Sequence, residues 1–403
     1  MGRSKIENIQ QTDNKIEALY GLKFLATMLL LLHHIAYAFT INEPTRSFLK
    51  FDSLDLYPLM MNGWIGFDLF VVLCGFLAVR TWLLKPERTY RQYVAKRFWR
   101  ILPTYYAVML LLIIGAFPFF VPLEPLTWFS LAYHIALLPD VFFSNIMVLF
   151  STIAVELKYI LIVPVLVGFS LTRSRPTLTL CALAALLISL GLFIRDYGFS
   201  QYTPHDALTV NGNPVYRENI FNFGMLTRIS FFCWFEAMFI GVGIAYFEHL
   251  SRSNTKIRIS KKAAQIVFMS GLAILLFWLG YKDYYQDISR FDAVFQPIFT
   301  ASIVGLLVFG SVFGGAPKMF SGKIPRYFSP LTIPIFLVHL PLMFPAYLLI
   351  YIYFPQLMDP QHAPAFICVT VVYLVLTWIV AELVHRLVQV RLVNVVRRFL
   401  KIT

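Results

Sequence analysis

A lysine and a histidine share one face of the first apolar segment of the chain, Leu22–Phe39. Lys23 and His34 are eleven residues apart, and eleven steps of about 100° bring the second side chain within about 20° of the first. The same spacing separates them by about 16 Å along a helix. Lysine binds anions, and histidine accepts protons near neutral pH. One helix face therefore offers an anion anchor and a general base, whereas His33 points about 100° away and is expected to be structural.

Two carboxylates further along the chain are predicted to lie at the same membrane depth as His34. Asp68 lies about one turn from the outer end of the second apolar segment, and Glu156 lies about two turns from the outer end of the fourth. A carboxylate beside a histidine fixes its tautomer and stabilises the imidazolium. We therefore expect Asp68 or Glu156 to hold His34, with helix N-capping as the alternative for Asp68. His339, in the ninth segment, is a further catalytic candidate or else a structural histidine bonded to a carbonyl.

Basic side chains gather where the second and third apolar segments reach the same surface. Arg97 and Arg100 lie about one turn apart at the start of the third segment, beside Lys96, and Arg80 ends the second. With Lys23 they would form a cationic cluster, and the planar fork of arginine suits phosphate oxygens. The alternative is that these residues only set topology and bind anionic membrane lipids.

The elements that must position these residues are membrane helices. The 403 residues are 59% hydrophobic and 14% charged, whereas soluble domains average about 45–50% and about 25%. The apolar runs are continuous rather than alternating, and a spanning helix needs about 20 apolar residues. We predict an all-α, polytopic membrane protein that forms one membrane domain over residues 1–403, with ten spans at 20–41, 60–83, 101–122, 146–170, 177–194, 220–247, 263–281, 292–314, 328–353 and 363–385. The apolar segment 126–143, within the outer loop 123–145, is expected to be re-entrant or interfacial.

The distribution of lysine and arginine predicts the orientation. With the N-terminus inside, the inner segments carry 24 of the 34 basic residues, and the outer segments carry six. This positive-inside pattern places both termini, about 1–19 and 386–403, in the cytoplasm. The net charge of +13 follows from the same pattern, so no nucleic-acid partner is expected. The four cysteines fall inside the predicted spans without metal-ligand spacing, so no metal site is predicted.

Five segments resemble, in order, motifs of the acyltransferase 3 family of integral membrane O-acyltransferases. They are GLKFLATMLLLLHH, GFDLFVVLCGF, RFWRILPTYY, FSTIAVELKYI and SPLTIPIFLVHLP. The resemblance runs almost from end to end and aligns His34, Glu156 and His339 with residues of the family motifs. The chain departs from the family at Lys23, where arginine is usual, and at Cys74, where serine is usual. It is expected to be a divergent, stand-alone member.

The resemblance implies an acyl-CoA co-substrate in the cytoplasm, most simply acetyl-CoA, and no tightly bound cofactor. It also implies an acceptor hydroxyl on an extracytoplasmic glycan or glycolipid, and a location in the inner membrane of a bacterium. In that interpretation Lys23, Arg80, Arg97 and Arg100 hold the CoA phosphates, and His34 is the general base. The candidates for stabilising the oxyanion are His339, Arg228, Tyr105 and Tyr106.

Other interpretations stay open at this stage. Direct transfer is preferred, but an acyl-enzyme on His34 or Cys74 is an alternative, and Cys74 could equally be a small packing residue. A proton-coupled transporter or flippase would use similar intramembrane histidines and carboxylates. A lipid-binding or sensor protein without turnover is a third possibility. The sequence does not separate acetyl from succinyl donors, and it does not name the acceptor or the oligomeric state.

Overall fold

The computed structural model describes residues 16–40, 50–51, 54–55, 57–84, 89–117, 120, 125–142, 144, 146–201, 230–253, 258–281, 289–353 and 363–394. These ranges are almost entirely helical, apart from an antiparallel pair of two-residue strands, β1 (Lys50–Phe51) and β2 (Leu54–Asp55). The α-helices are α1 (Ala18–Thr40), α2 (Tyr57–Met61), α3 (Ile65–Leu83), α4 (Tyr90–Ile113), α5 (Trp128–Ile135), α6 (Pro139–Phe142), α7 (Leu149–Leu171), α8 (Pro176–Gln201), α9 (Phe235–Ser253), α10 (Lys261–Tyr281), α11 (Arg290–Val294), α12 (Gln296–Val312), α13 (Lys323–Phe328), α14 (Thr332–Tyr353) and α15 (Ala363–Val384). Short 3₁₀ turns lie at Asn62–Trp64, Phe231–Trp234, Lys318–Ser321 and Ser329–Leu331, and a π-helix, His385–Leu392, follows α15.

Seven helical segments within the described residues are long and apolar enough to cross a membrane. They correspond to α1, α3, α7, α8, α9, α10 and α15. The chain is thus an all-α, polytopic integral membrane protein, as the sequence predicts. Each of the ten predicted spans contains a helix in the described residues. The number of spans and the cytoplasmic position of the termini stay predictions.

Close packing of α1, α3 and α9 forms the centre of the protein. Gly66 of α3 lies against α1, where an added Cβ would come within 2.5 Å of the Ala26 carbonyl oxygen. Gly75 of the same helix lies against α9, where a Cβ would come within 2.3 Å of the Met238 carbonyl oxygen. Small residues let membrane helices approach until their backbones touch. α1, which carries Lys23 and His34, is therefore held in a fixed position beside α3.

The start of α4 differs from the prediction and moves two cations into the helix. The third predicted span begins at residue 101, whereas α4 begins at Tyr90, behind a capping box formed by Thr89 and Gln92. Arg97 and Arg100 consequently lie about 10 and about 15 Å along the helix from its first residue. The predicted span thus begins about three turns inside a longer helix, and its boundary at the membrane stays a prediction.

The end of α8 also differs from the prediction. The fifth predicted span ends at residue 194, whereas α8 continues to Gln201. Arg195, predicted to lie in an outer segment, is fully buried, and its Nη1 lies 2.5 Å from Oε1 of Glu236 on α9. Arg228, which the sequence places in the same span as Glu236, lies outside the described residues. The partner of Glu236 in the structure is therefore a residue from a neighbouring helix.

The described part of the apolar segment 126–143, residues 126–142, contains two short helices, α5 and α6, instead of a spanning helix. The hydroxyls of Tyr105 and Tyr106 on α4 donate to two carbonyls at the end of α5 over 3.1 and 2.8 Å. Lys158 of α7 forms an ion pair with Asp140 of α6. These bonds fix the α5–α6 hairpin to α4 and α7. Because both tyrosine hydroxyls serve this packing, the structure does not support them as oxyanion donors.

Candidate active site

Two histidines from different helices form a contacting pair. His34 lies on α1 and His339 on α14, and Nδ1 of His34 is 3.1 Å from Nε2 of His339. The ring centroids are 4.8 Å apart. His34 is partly exposed, whereas His339 is buried. The hydroxyl of Tyr373 on α15 donates to the carbonyl of His339 over 3.0 Å and steadies this part of α14. The structure thus brings two of the predicted catalytic residues together.

The carbonyl partners of the two rings determine which nitrogen carries hydrogen. Nδ1 of His339 lies 3.1 Å from the carbonyl oxygen of Ile335. A carbonyl only accepts, so this Nδ1 carries the hydrogen and Nε2 of His339 offers a lone pair. Nδ1 of His34 faces that lone pair and the carbonyl oxygen of Leu30, at 2.8 Å. It therefore carries a hydrogen as well, which leaves Nε2 of His34 as the basic nitrogen.

Among the described residues, the partners of His34 are the His339 and His33 rings and the Leu30 carbonyl, and none of them is a carboxylate. The expectation that Asp68 or Glu156 holds the ring is therefore wrong. A second imidazole, supplied by α14, takes the place next to Nδ1. Asp68 is fully buried in the first turn of α3, and its part in catalysis stays a prediction.

A cavity between α1, α3, α4, α7 and α14 collects most of the other predicted residues. Four charged side chains line it, namely Lys23, Arg97, Arg100 and Glu156. Glu156 lies in this cationic cavity and not beside His34 as expected, and three positive charges compensate its carboxylate here. The side-chain charges of Lys23, Arg100 and Glu156 form no hydrogen bond or ion pair with any residue in the described ranges. The cavity therefore presents charged groups that are available to a ligand.

Arg97 is the member of this group whose orientation is fixed by direct bonds. Its Nη2 donates to the carbonyl of Leu77 over 3.1 Å and to the Thr81 hydroxyl over 2.9 Å. The guanidinium also lies over the ring of Tyr93, 5.7 Å from its centroid. A guanidinium has five N–H donors in a planar fork, so these contacts position it and leave donors for an anion. The cationic end of the cavity lies at the level of Leu77 on α3.

Arg80 does not join the cavity. Its Nε lies 2.8 Å from Oε2 of Glu248 on α9, and Arg252 binds the other oxygen of that carboxylate. Both Arg80 and Glu248 are largely shielded from solvent, at 10% and 6% side-chain exposure. The structure therefore does not bring Arg80 together with the other cations, because Glu248 of α9 engages its guanidinium, and its part in holding the coenzyme stays a prediction.

Aromatic rings connect the cavity with the histidine pair. Phe70 and Phe336 line the cavity, and their ring centroids are 6.3 Å apart. Phe336 in turn lies 5.9 Å from the His339 ring. Along α3 the lining extends from Phe67 to Leu77, which is about 15 Å at the helical rise. The cationic end and the end nearest the histidines are thus separated by roughly the length of a pantetheine arm, about 15–20 Å.

Sequence reasoning missed the two phenylalanines and the buried Arg195–Glu236 pair. Phenylalanine is common throughout this chain, with 39 copies, and nothing in its type separates a cavity wall from a lipid contact. The Arg195 pair could have been found by extending the fifth span, because residues 195–201 contain no proline. Arg195 also donates to the Cys233 carbonyl over 2.7 Å, so it ties α8 to the start of α9.

Comparison with family models agrees with this architecture. The acyltransferase 3 model, described as an acyltransferase domain, matches residues 16–382. The match covers nearly the whole chain and includes both histidines and the four charged residues of the cavity. Comparisons with curated proteins and with solved structures each returned no match. The chain therefore belongs to the acyltransferase 3 family and is a membrane acyltransferase.

Proposed function

We propose that this acyltransferase moves an acyl group, most simply acetyl, from cytoplasmic acyl-CoA to a hydroxyl of an extracytoplasmic glycan or glycolipid. The observation that carries the proposal is the basic Nε2 of His34. The His339 lone pair and the Leu30 carbonyl both face Nδ1, so the hydrogen lies on Nδ1 and Nε2 keeps its lone pair. The ring of Phe336 lines the cationic cavity and lies 5.9 Å from the ring of His339. A base and an anion site at this separation match a reaction between a hydroxyl and a long phosphorylated thioester.

The cations of the cavity suit the phosphates of CoA. Arg97 is oriented by Leu77 and Thr81 and presents a planar fork, while Lys23 and Arg100 add point charges nearby. Arginine forks bind phosphate oxygens through paired hydrogen bonds. With the phosphates at this end, the pantetheine arm extends along α3 toward Phe70. The thioester then reaches the wall formed by Phe336, next to the histidine pair.

The chemical step follows from the hydrogen positions. Nε2 of His34 takes the proton of the acceptor hydroxyl as the oxygen attacks the thioester carbonyl. The tetrahedral intermediate collapses with cleavage of the C–S bond, and the His34 imidazolium returns the proton to the departing thiolate. The products are an ester and free CoA. The His339 lone pair and the Leu30 carbonyl stabilise the imidazolium through Nδ1–H, and a general base of this kind contributes about 10²–10⁴-fold.

Direct transfer fits better than an acyl-enzyme on Cys74. The Cys74 thiol lines the cavity, and its Sγ lies 3.8 Å from the backbone carbonyl of Glu156. A nucleophilic cysteine needs the thiolate form, which neighbouring cations favour and neighbouring carboxylates oppose. Both kinds of charge line the cavity with Cys74, but its described lining contains no histidine that could act as the base for this thiol. We therefore assign the transfer to a single step in which the acceptor oxygen itself attacks.

A labelling experiment in membrane vesicles tests the proposal. Inside-out vesicles that contain the full chain receive acetyl-CoA labelled in the acetyl group, and the glycan and glycolipid fractions are counted. We expect label that hydroxylamine releases, as an ester would allow, and its loss in His34→Ala. His249→Ala is the control, since this histidine lies near the end of α9 and outside the cavity lining. Equal labelling in His34→Ala would contradict the base assignment. Solute uptake without CoA would instead support a transporter in a bacterial inner membrane.

A further inference from the structure

We propose that Phe70 and Phe336 form a filter that admits only short, uncharged acyl groups to the histidine pair. This inference rests on the proposed function, because it concerns the acyl end of the same donor. It goes beyond that function because the filter distinguishes acetyl thioesters from longer aliphatic and succinyl thioesters, which the sequence alone does not separate. The evidence comes from the uneven distribution of charge and aromatic rings along the cavity.

The cavity changes character along α3. At the level of Leu77 it holds the guanidinium of Arg97. At the level of Cys74 it holds Glu156, whose backbone carbonyl contacts the Cys74 thiol. Beyond this point, toward the start of α3, the lining consists of Phe67 and Phe70 together with Phe336 from α14 and Thr152 and Ile153 from α7. A donor anchored by phosphates at the Arg97 end therefore places its acyl group among aromatic and aliphatic side chains.

The rings leave little room between the cavity and the base. Phe70 and Phe336 meet edge to face at 70°, with centroids 6.3 Å apart. Phe336 is 8% exposed and lies 5.9 Å from the His339 ring. A longer acyl chain that reaches this wall must displace Phe336, which is packed against the partner of the catalytic histidine. In a packed pocket one methylene changes selectivity by about 10- to 200-fold.

A carboxylate on the acyl group meets a further obstacle. The apolar rings provide no hydrogen-bond donor, and the Thr152 hydroxyl already donates to the Leu149 carbonyl over 2.8 Å. A buried carboxylate without a partner is strongly unfavourable. The succinyl group is therefore excluded by chemistry, whereas the longer neutral acyl groups are excluded by size.

Equilibrium binding to the detergent-purified full chain tests the filter without an acceptor. The ligands are CoA, acetyl-CoA, butyryl-CoA and succinyl-CoA, and each competes with a labelled CoA. We expect wild type to bind acetyl-CoA at least about tenfold more tightly than butyryl-CoA and to discriminate against succinyl-CoA. Phe336→Ala and Phe70→Ala should reduce the acetyl–butyryl ratio by at least about tenfold, with succinyl-CoA still excluded.

The control is Phe277→Ala, because this phenylalanine of α10 is 65% exposed and outside the cavity; it should keep the wild-type ratio. If Phe336→Ala does not fold, Phe336→Leu gives a smaller change in the same direction. An unchanged ratio in the cavity variants, or equal binding of succinyl-CoA and acetyl-CoA by wild type, would overturn the filter. Failure of wild type to bind any of the four ligands would instead overturn the proposed function, so the two failures are distinguishable.

Discussion

The contact between His34 and His339 leads to the prediction with the clearest magnitude. His339→Phe keeps an aromatic ring of similar size but removes the lone pair that faces Nδ1 of His34 at 3.1 Å. When His34 becomes an imidazolium, the variant lacks one hydrogen bond to a charged group, which contributes about 1.5–3 kcal/mol. Because each 1.36 kcal/mol is tenfold in rate, we expect kcat to fall by about 10- to 150-fold.

The conservative variant separates a chemical role of His339 from a packing role. In His339→Gln the amide oxygen takes roughly the place of Nε2 and accepts from Nδ1 of His34. We expect this variant to recover much of the activity that His339→Phe loses. The assay is the initial rate of free-thiol release from acetyl-CoA at saturating donor and acceptor, with the donor Kd measured separately.

The donor Kd should not change in either variant, since His339 is outside the cavity lining. A rate in His339→Phe equal to that of wild type would show that the second imidazole contributes nothing to the charged state of His34. Equal losses in the phenylalanine and glutamine variants would assign His339 to packing alone.

Two further predictions concern the donor cations and the helix core. Arg97→Ala should weaken acetyl-CoA binding by about 10- to 150-fold through loss of charge-assisted hydrogen bonds. Arg80→Ala should leave the Kd unchanged and lower the Tm, because the carboxylate partner of Arg80 stays buried. Equal effects of the two variants on the Kd would contradict the different roles of the two arginines. Gly241→Ala should strongly destabilise the purified chain in thermal unfolding, since its Cβ would lie 2.0 Å from the Val72 carbonyl oxygen. Gly243→Ala should not, because no atom of the described residues lies within 4 Å of an added Cβ there. A normal Tm for Gly241→Ala would show that α3 and α9 pack less closely than described.

The sequence predicts those parts of the site that depend on a single helix. The common face of Lys23 and His34 follows from the helical repeat, and the positions of the spans follow from continuous apolar runs. The inner cluster of Lys23, Arg97 and Arg100 was also predicted, because helix ends and charge bias are local features. The capping box at Thr89 and Gln92 was readable as well, and using it would have placed α4 correctly.

Contacts between helices distant in the sequence could not be predicted in this way. Depth alone put Asp68 and Glu156 near His34, but the rotation of each helix decides which face a side chain occupies. In the structure Glu156 lies among the cations, and His339 of α14 occupies the place beside His34. Arg80 likewise forms an ion pair with Glu248 of α9. These partners depend on the packing of the whole bundle, about which a single sequence carries little information.

The most direct test of the account is the rate of thiol release from acetyl-CoA by purified wild type and His34→Ala, with total membrane glycolipid as acceptor and donor binding measured in the same preparations. We expect a loss of at least about 100-fold in rate with an unchanged Kd for acetyl-CoA, because the base and the phosphate site are separate groups of residues. Thiol release at the wild-type rate in His34→Ala would contradict the base assignment.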